Sequence, residues 1–240
     1  QAIGCGIPGG LDPDTHTVRG ASTFVLNGQL FQSDLAQRLQ CRVHVQNDAN
    51  CLAVSEAVDG AGQGSGVVFA AILGTGCGGG IAFQGKAWTG RHAIAGEWGH
   101  NPLPWPTLDE LQVPACWCGQ VGCLETWISG TGFSRDHALM YGGDLAAFQI
   151  IEQMRRGDIS ATQSFERYQN RLGRALAQVV NLLDPDCIVL GGGMSNVDEI
   201  YTNIQSEILR YTFSKTVRTP VRRAVHGDSS GVRGAAWLAR

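Results

Sequence analysis

Short apolar runs alternate with helix-like stretches along this chain, and that alternation limits the fold more than any other feature. The runs Cys5 to Ile7, Val43 to Gln46, Val67 to Leu73, Cys187 to Leu190 and Val221 to Val225 have the length of buried strands. Ala49 to Val58 has an alanine-rich 3.6-residue period, begins after Asn47-Asp48 and is ended by the stretch from Gly60 to Gly66. Tyr168 to Leu183 reads as a long amphipathic helix stopped at Asp184-Pro185, and Val197 to Phe213 as a second one. The order of elements is that of an α/β protein.

A chain of 240 residues with 43% hydrophobic content can bury one large core or two lobes around a cleft. The glycines after Asp59 are the expected lobe junction, which divides the chain into 1–66, 67–228 and a final piece, 229–240. Within that piece Ser230 to Leu238 forms a short helix that folds back across the first lobe. A net charge of -3 without a run of Lys or Arg argues against nucleic acid or anionic lipid as a direct ligand. No apolar run reaches membrane-spanning length and no signal-like segment opens the chain, so the expected compartment is the cytoplasm. The chain enters a strand-like run, Ala2 to Ile7, directly from Gln1, which suggests a fragment.

Eight cysteines are too sparse for a disulfide scaffold in a chain of this length, yet Cys116, Cys118 and Cys123 share one short, glycine-bent segment. Three close thiols suit a tetrahedral zinc ion, with a loop of incidental buried thiols as the bland alternative. His100 is the candidate fourth ligand, because the intervening loop is stiffened by Pro102, Pro104, Pro106 and Pro114. A histidine satisfied in the core remains the alternative.

Gly74, Thr75, Gly76, Cys77, Gly78, Gly79 and Gly80 lie between Val67 to Leu73 and a second expected strand, Gly80 to Phe83. So many glycines exceed what a hairpin turn needs and suit backbone N–H groups cradling phosphate. A Rossmann reading fails because strand rather than helix follows. A Walker A reading of Gly80 to Ala87 fails because Ala87 stands where a magnesium-binding hydroxyl is required. Asn47-Asp48 places a carboxylate at a helix start, where an ordinary cap is the simplest explanation. Glu97 and His100 share one turn, and Glu125 follows the last clustered cysteine; such convergent polar groups suit a ligand dense in hydroxyls. Gly191, Gly192 and Gly193 end a buried strand, where backbone could approach a flat ligand or simply make a tight turn.

Taken together, NDAN at Asn47 to Asn50, GTGCGGG, GEWGH at Gly96 to His100, CWCGQVGCLET at Cys116 to Thr126 and LGGGM at Leu190 to Met194 resemble the ROK family of sugar kinases and repressors. WISGTGF, NLLDPDCIVLGGGMSNVDEIY and GDSSGVRGAAWL make the chain most similar to its fructokinase/mannokinase branch. The resemblance implies an actin-like, ribonuclease H-like two-lobed ATPase fold with a zinc knuckle in the second lobe. It further implies ATP with magnesium, and phosphorylation of a hexose at O6 of fructose or mannose. Asp48 matches the catalytic base, and Asn47, Glu97, His100 and Glu125 match sugar ligands. By the same resemblance His100, Cys116, Cys118 and Cys123 hold zinc, the turn from Gly74 to Gly80 holds phosphates, and Gly191 to Gly193 lie against the adenosine.

Two departures stand out. The family's opening phosphate loop has no counterpart here, so about the first fifth of a family-length chain is expected to be missing and this stretch alone to be nearly inactive. Arg19 to Thr23 lacks the asparagine expected there, which leaves the sugar's identity open. The competing functions are a sugar-responsive repressor of the same family and a zinc-stabilised sugar-binding module without catalysis. The sequence also leaves a homodimer open.

Overall fold

The computed structural model describes residues 2–240; Gln1, where the first expected lobe begins, lies outside the described residues. Strand β1 (Ala2–Ile7) pairs in parallel with β4 (Arg42–Asn47), bringing Ile7 opposite Asn47. A short antiparallel hairpin, β2 (Gly10–Leu11) and β3 (Val18–Arg19), and helix α1 (Phe31–Leu39) fill the connection between them. Helix α2 (Asp48–Asp59) then leaves β4 without an intervening loop.

A second sheet of five strands lies on the other side of α2. Its members are β5 (Val67–Leu73), β6 (Cys77–Phe83), β7 (Lys86–Ala87), β8 (Cys187–Gly191) and β9 (Val221–Arg223), in the spatial order β7-β6-β5-β8-β9. Strands β5, β8 and β9 are parallel, while β6 and β7 are antiparallel to their neighbours. Val68, Ala70 and Ile72 of β5 pack with α2, and Phe69, Ala71 and Leu73 pack with the opposite layer, led by helix α6 (Ile159–Leu183). Burial on both faces is why these strands are apolar at consecutive positions. Helix α7 (Glu199–Tyr211) completes that layer with Ile200, Ile204 and Ile208, one face of a 3.6-residue period. Truncating any of these to alanine should cost about 2–5 kcal/mol.

Several element boundaries differ from those expected. β6 begins at Cys77, not Gly80, and Gly78, Gly79 and Gly80 hold regular ladder positions opposite Ile72, Ala71 and Ala70. At Gly79 and Gly80 the lack of a side chain is a packing requirement, whereas a Cβ at Gly78 would make only ordinary contacts with Ala49 and Ile72. A Cβ at Gly79 would lie 2.6 Å from the Gly96 carbonyl oxygen, and one at Gly80 would collide with the Ala49 carbonyl of α2. Helix α6 begins at Ile159 rather than Tyr168, because Asp158 caps it by accepting from the Ala161 N–H at 2.8 Å. Helix α7 is slightly shorter than the expected Val197 to Phe213, and β9 stops at Arg223.

Helix α8 (Ser230–Leu238) packs on β1 and α2, where Gly4 meets the Ala235 carbonyl and Gly234 meets the Cys51 carbonyl. The fully buried Glu56 fixes the start of this helix, accepting from the N–H groups of Ala61 (2.8 Å) and Val225 (3.0 Å) and from the Ser230 hydroxyl (2.8 Å). Three shorter helices, α3 (Glu125–Ile128), α4 (Gly130–Tyr141) and α5 (Ala147–Arg155), lie between β7 and α6 and were not anticipated from periodicity. Among the described residues no helix is long and apolar enough to cross a membrane.

Candidate active site

Where β4 becomes α2, Asn47 supplies the helix cap. Its Oδ1 accepts from the N–H groups of Ala49 (2.9 Å) and Asn50 (3.3 Å), while its Nδ2 donates to the Gly9 carbonyl (3.0 Å). The capping role available to Asp48 is therefore filled by its neighbour. Asp48 occupies the first helical position and accepts from the Ala49 N–H at 2.8 Å. Desolvation raises the Asp48 carboxyl above its ordinary value, and outweighs the hydrogen bond from Ala49 that would lower it.

Glu97 precedes a single 3-10 turn, Trp98–His100, that is pinned to the sheet by Trp98. The Trp98 indole donates to the Gly78 carbonyl at 2.8 Å and meets Phe69 edge-on with centroids 5.2 Å apart. The Glu97 carboxyl is raised first by desolvation; nearby His100 pulls it down, and the charges of Asp48 and Glu125 push it up. Four side chains from α2, the 3-10 turn and α3 thus share one neighbourhood. Glu125 is held at both oxygens: Oε2 accepts from the Cys77 N–H at 2.9 Å and Oε1 from the Trp117 indole at 2.7 Å.

The ligand atoms of His100, Cys116, Cys118 and Cys123 all lie within 4.8 Å of one another. His100 presents Nδ1 to the Cys116 sulfur at 3.6 Å, which leaves Nε2 directed away from the thiols. Burial and the two neighbouring thiols push the Cys123 thiol up to about 12, a cost that a bound divalent cation would remove. Three soft sulfurs and one imidazole fit zinc by number and kind of donor. The loop that returns Cys116 to His100 is anchored from α6. Buried Arg174 donates to the Trp105 carbonyl (2.7 Å) and to Glu110 (2.7 and 2.8 Å), and Arg171 donates to Glu110 (2.7 Å) and Asp136 (2.7 Å). Small bridges between Pro102 and Cys123, and between Ala115 and Val121, close the loop at its ends.

Next to Glu125 a cavity of about 640 Å³ opens between the Gly74–Thr75 turn, the start of α4 at Gly130 and Thr131, the α5 face carrying Phe148, and Gly193–Met194. The glycines proposed from sequence divide here. Gly74 and Thr75 line the cavity, and a Cβ at Gly76 would meet the Glu125 carboxylate. Cys77, Gly78, Gly79 and Gly80 pair with β5 as part of β6, and the Cys77 N–H is taken by Glu125, so that of the seven residues Gly74 and Thr75 line the cavity. Gly191 packs against Leu52, Gly192 takes φ +80 against the Leu73 backbone, and Gly193 meets nothing within 4 Å. Only the last of the three faces the cavity.

Sequence reasoning missed Trp117, the Arg171–Arg174–Glu110 anchor and the α4 wall. For α4 a signal was present: Ser129 followed by Gly130-Thr131-Gly132 is a cap before a helix, and Ser129 does accept from the Gly132 N–H at 2.9 Å.

Comparison with known proteins agrees with this geometry. The ROK family profile matches residues 1–240. N-acetyl-D-glucosamine kinase of Pectobacterium carotovorum is 42% identical over 244 residues, covering 98% of this chain and 79% of its own length. The ROK hexokinase of Thermus thermophilus superposes with TM-score 0.87 at 30% identity, covering 99% of this chain and 78% of that one. The ROK family glucokinase of Streptomyces griseus, solved with glucose and AMPPNP, gives TM-score 0.82 at 32% identity, covering 100% and 81%. From the β4–α2 junction through the cysteine cluster to the glycine end of β8, the chain belongs to the ROK family.

Proposed function

We propose that the protein transfers the γ-phosphoryl group of ATP to a hydroxyl of a hexose, with Asp48 as general base. The observation that supports this most is that the charges of Asp48, His100 and Glu125 all act on the Glu97 carboxyl, while Glu125 abuts Gly76 in the turn whose Gly74 and Thr75 line the large cavity. Asp48 takes the hydroxyl proton as the sugar oxygen bonds to phosphorus and the bond to the ADP oxygen breaks, a contribution of about 10²–10⁴ in rate. Asn47 has spent one N–H on Gly9 and keeps the other for a sugar hydroxyl. Glu97, Nε2 of His100 and the free lone pairs of Glu125 complete the sugar ligands. Gly74, Thr75, Gly76 and Gly193 line the side where the nucleotide would lie, with magnesium neutralising its phosphates.

In the same reading His100, Cys116, Cys118 and Cys123 hold a zinc ion. There the ion would stabilise the three thiolates, and its bond to Nδ1 would fix the tautomer and orientation of the imidazole. The substrate shifts from the fructose or mannose expected from sequence. The Pectobacterium relative is named for N-acetyl-D-glucosamine and the Streptomyces structure holds glucose, so these two sugars come first, with fructose and mannose as comparators.

The test is a coupled ATPase assay with this sugar panel on protein expressed from the complete reading frame, wild type against Asp48→Asn. Turnover that requires sugar in the wild type and falls at least a hundredfold in the variant is the expected result. Equal sugar-dependent turnover in both would sink the assignment. Saturable sugar binding without turnover in the wild type would indicate a binding module instead.

A further inference from the structure

Trp117 sits between two of the clustered cysteines, with its side chain turned toward the polar residues of the cleft. The residue is 65% exposed, so apolar burial does not hold it in place. Two directional contacts do. The indole N–H donates to Glu125 Oε1 at 2.7 Å, and the ring meets the His100 imidazole edge-on, with centroids 5.1 Å apart and planes at 85°. The partner oxygen, Glu125 Oε2, is already fixed by the Cys77 N–H at 2.9 Å. The carboxylate is thereby clamped from both ends, once by strand β6 and once by the cysteine loop.

We propose that Trp117 is a positioning residue for sugar recognition, orienting the Glu125 carboxylate through its indole N–H and bracing the His100 ring with its edge. The inference rests on the hexose site proposed above and names a specificity device within it. A charge-assisted hydrogen bond is short and directional, but an exposed side chain must lose rotamer freedom to make one. Here the backbone of Trp117 is held between Cys116 and Cys118, so much of that ordering is already imposed by the loop. Without the indole donor, Oε1 exchanges its fixed partner for mobile water. Hydroxyl recognition by Glu125 then suffers, because a misplacement well under an ångström weakens both partners of a hydrogen bond.

Trp117→Phe keeps an aromatic edge for His100 and removes only the donor; Trp117→Ala removes both. In the complete enzyme the phenylalanine variant should raise the sugar KM about tenfold, with the ATP KM unchanged and with zinc, measured by elemental analysis, at wild-type stoichiometry. The alanine variant should raise the sugar KM further. In a Glu125→Ala background, which removes the acceptor, Trp117→Phe should add little to the loss already present, as expected for two residues acting through one hydrogen bond. A wild-type sugar KM in Trp117→Phe overturns the proposal while leaving the kinase reading intact. A raised KM found only together with lost zinc also overturns it, because the indole would then serve the metal loop alone. A wild type that neither binds nor phosphorylates any hexose overturns the kinase reading, and this one with it.

Discussion

Asn47 caps helix α2 with its side-chain oxygen, and Asp48, the next residue, takes the first helical position with its carboxylate accepting from the Ala49 N–H. Two adjacent polar residues could each have filled the cap, and backbone geometry assigned it to the first. Asp48→Asn should therefore slow phosphorylation by about 10²–10⁴-fold without loosening α2. Its melting temperature should hold or rise, since a neutral amide escapes the desolvation that raises the aspartate. Asn47→Ala should cost about 1 kcal/mol of stability through the lost cap. Paired thermal melts and initial rates on the two variants check both statements.

The raised carboxyl of Asp48 has a kinetic consequence. A general base works only when ionised, so kcat/KM should climb with pH through a value above the ordinary 3.8 of an aspartate. Its stability effect has the opposite sense. Asp48 and Glu97 both have folded values above their unfolded ones, so their contribution is full below those ordinary values and is lost as pH rises through the raised ones. A pH-rate profile whose acid limb falls at an unshifted aspartate value would contradict this account.

Glu110 behaves in the reverse way. Burial pushes its carboxyl up, but hydrogen bonds from Arg174 and Arg171 outweigh that and hold it down at about 2. Its stabilisation is present above the ordinary 4.5 and lost as pH falls toward that lower value. Glu110→Gln leaves buried Arg174 without a carboxylate partner and Arg171 with Asp136 alone, and should destabilise by about 3–5 kcal/mol at neutral pH. Urea denaturation at a series of pH values should show the gap to wild type narrowing as pH falls below the ordinary value.

Removal of the metal should affect recognition as well as stability. Structural zinc contributes about 10–16 kcal/mol in small domains, comparable with the whole net stability of most proteins. Chelation should lower the melting temperature and weaken hexose binding together, because His100 serves both sites in the proposed arrangement. Metal-free protein, verified by elemental analysis, that melts and binds sugar like the loaded form would contradict the shared role.

Two glycines separate folding from nucleotide binding. Gly80→Ala drives a methyl into the Ala49 carbonyl and should displace α2 from the sheet, lowering stability and activity together. Gly193→Ala meets nothing within 4 Å and should leave the fold intact. Its methyl projects where the large cavity is lined, so the ATP KM should rise several-fold while the melting temperature stays near wild type. Equal thermal losses in the two variants would count against this division.

Sequence alone determined the α/β order, the strand cores and the residue types of the site. Each of those is written in neighbouring positions: the consecutive apolar residues of Val67–Leu73, the three close cysteines, the carboxylate after Asn47. Tertiary structure decided which of those residues meet. Glu125 reaches the Cys77 N–H across distant chain positions, and the proline-rich loop stays folded back because Arg174 reaches the Pro104 and Trp105 carbonyls from α6. The glycines were the hardest to read. A glycine that exposes backbone to a ligand and one that admits a packed helix look identical in sequence, and only the approach of α2 and the Gly96–Trp98 segment shows that Gly79 and Gly80 serve packing while Gly74 and Gly193 face open space. That approach is a long-range contact, set by the burial of both sheet faces at once, and no local pattern encodes it.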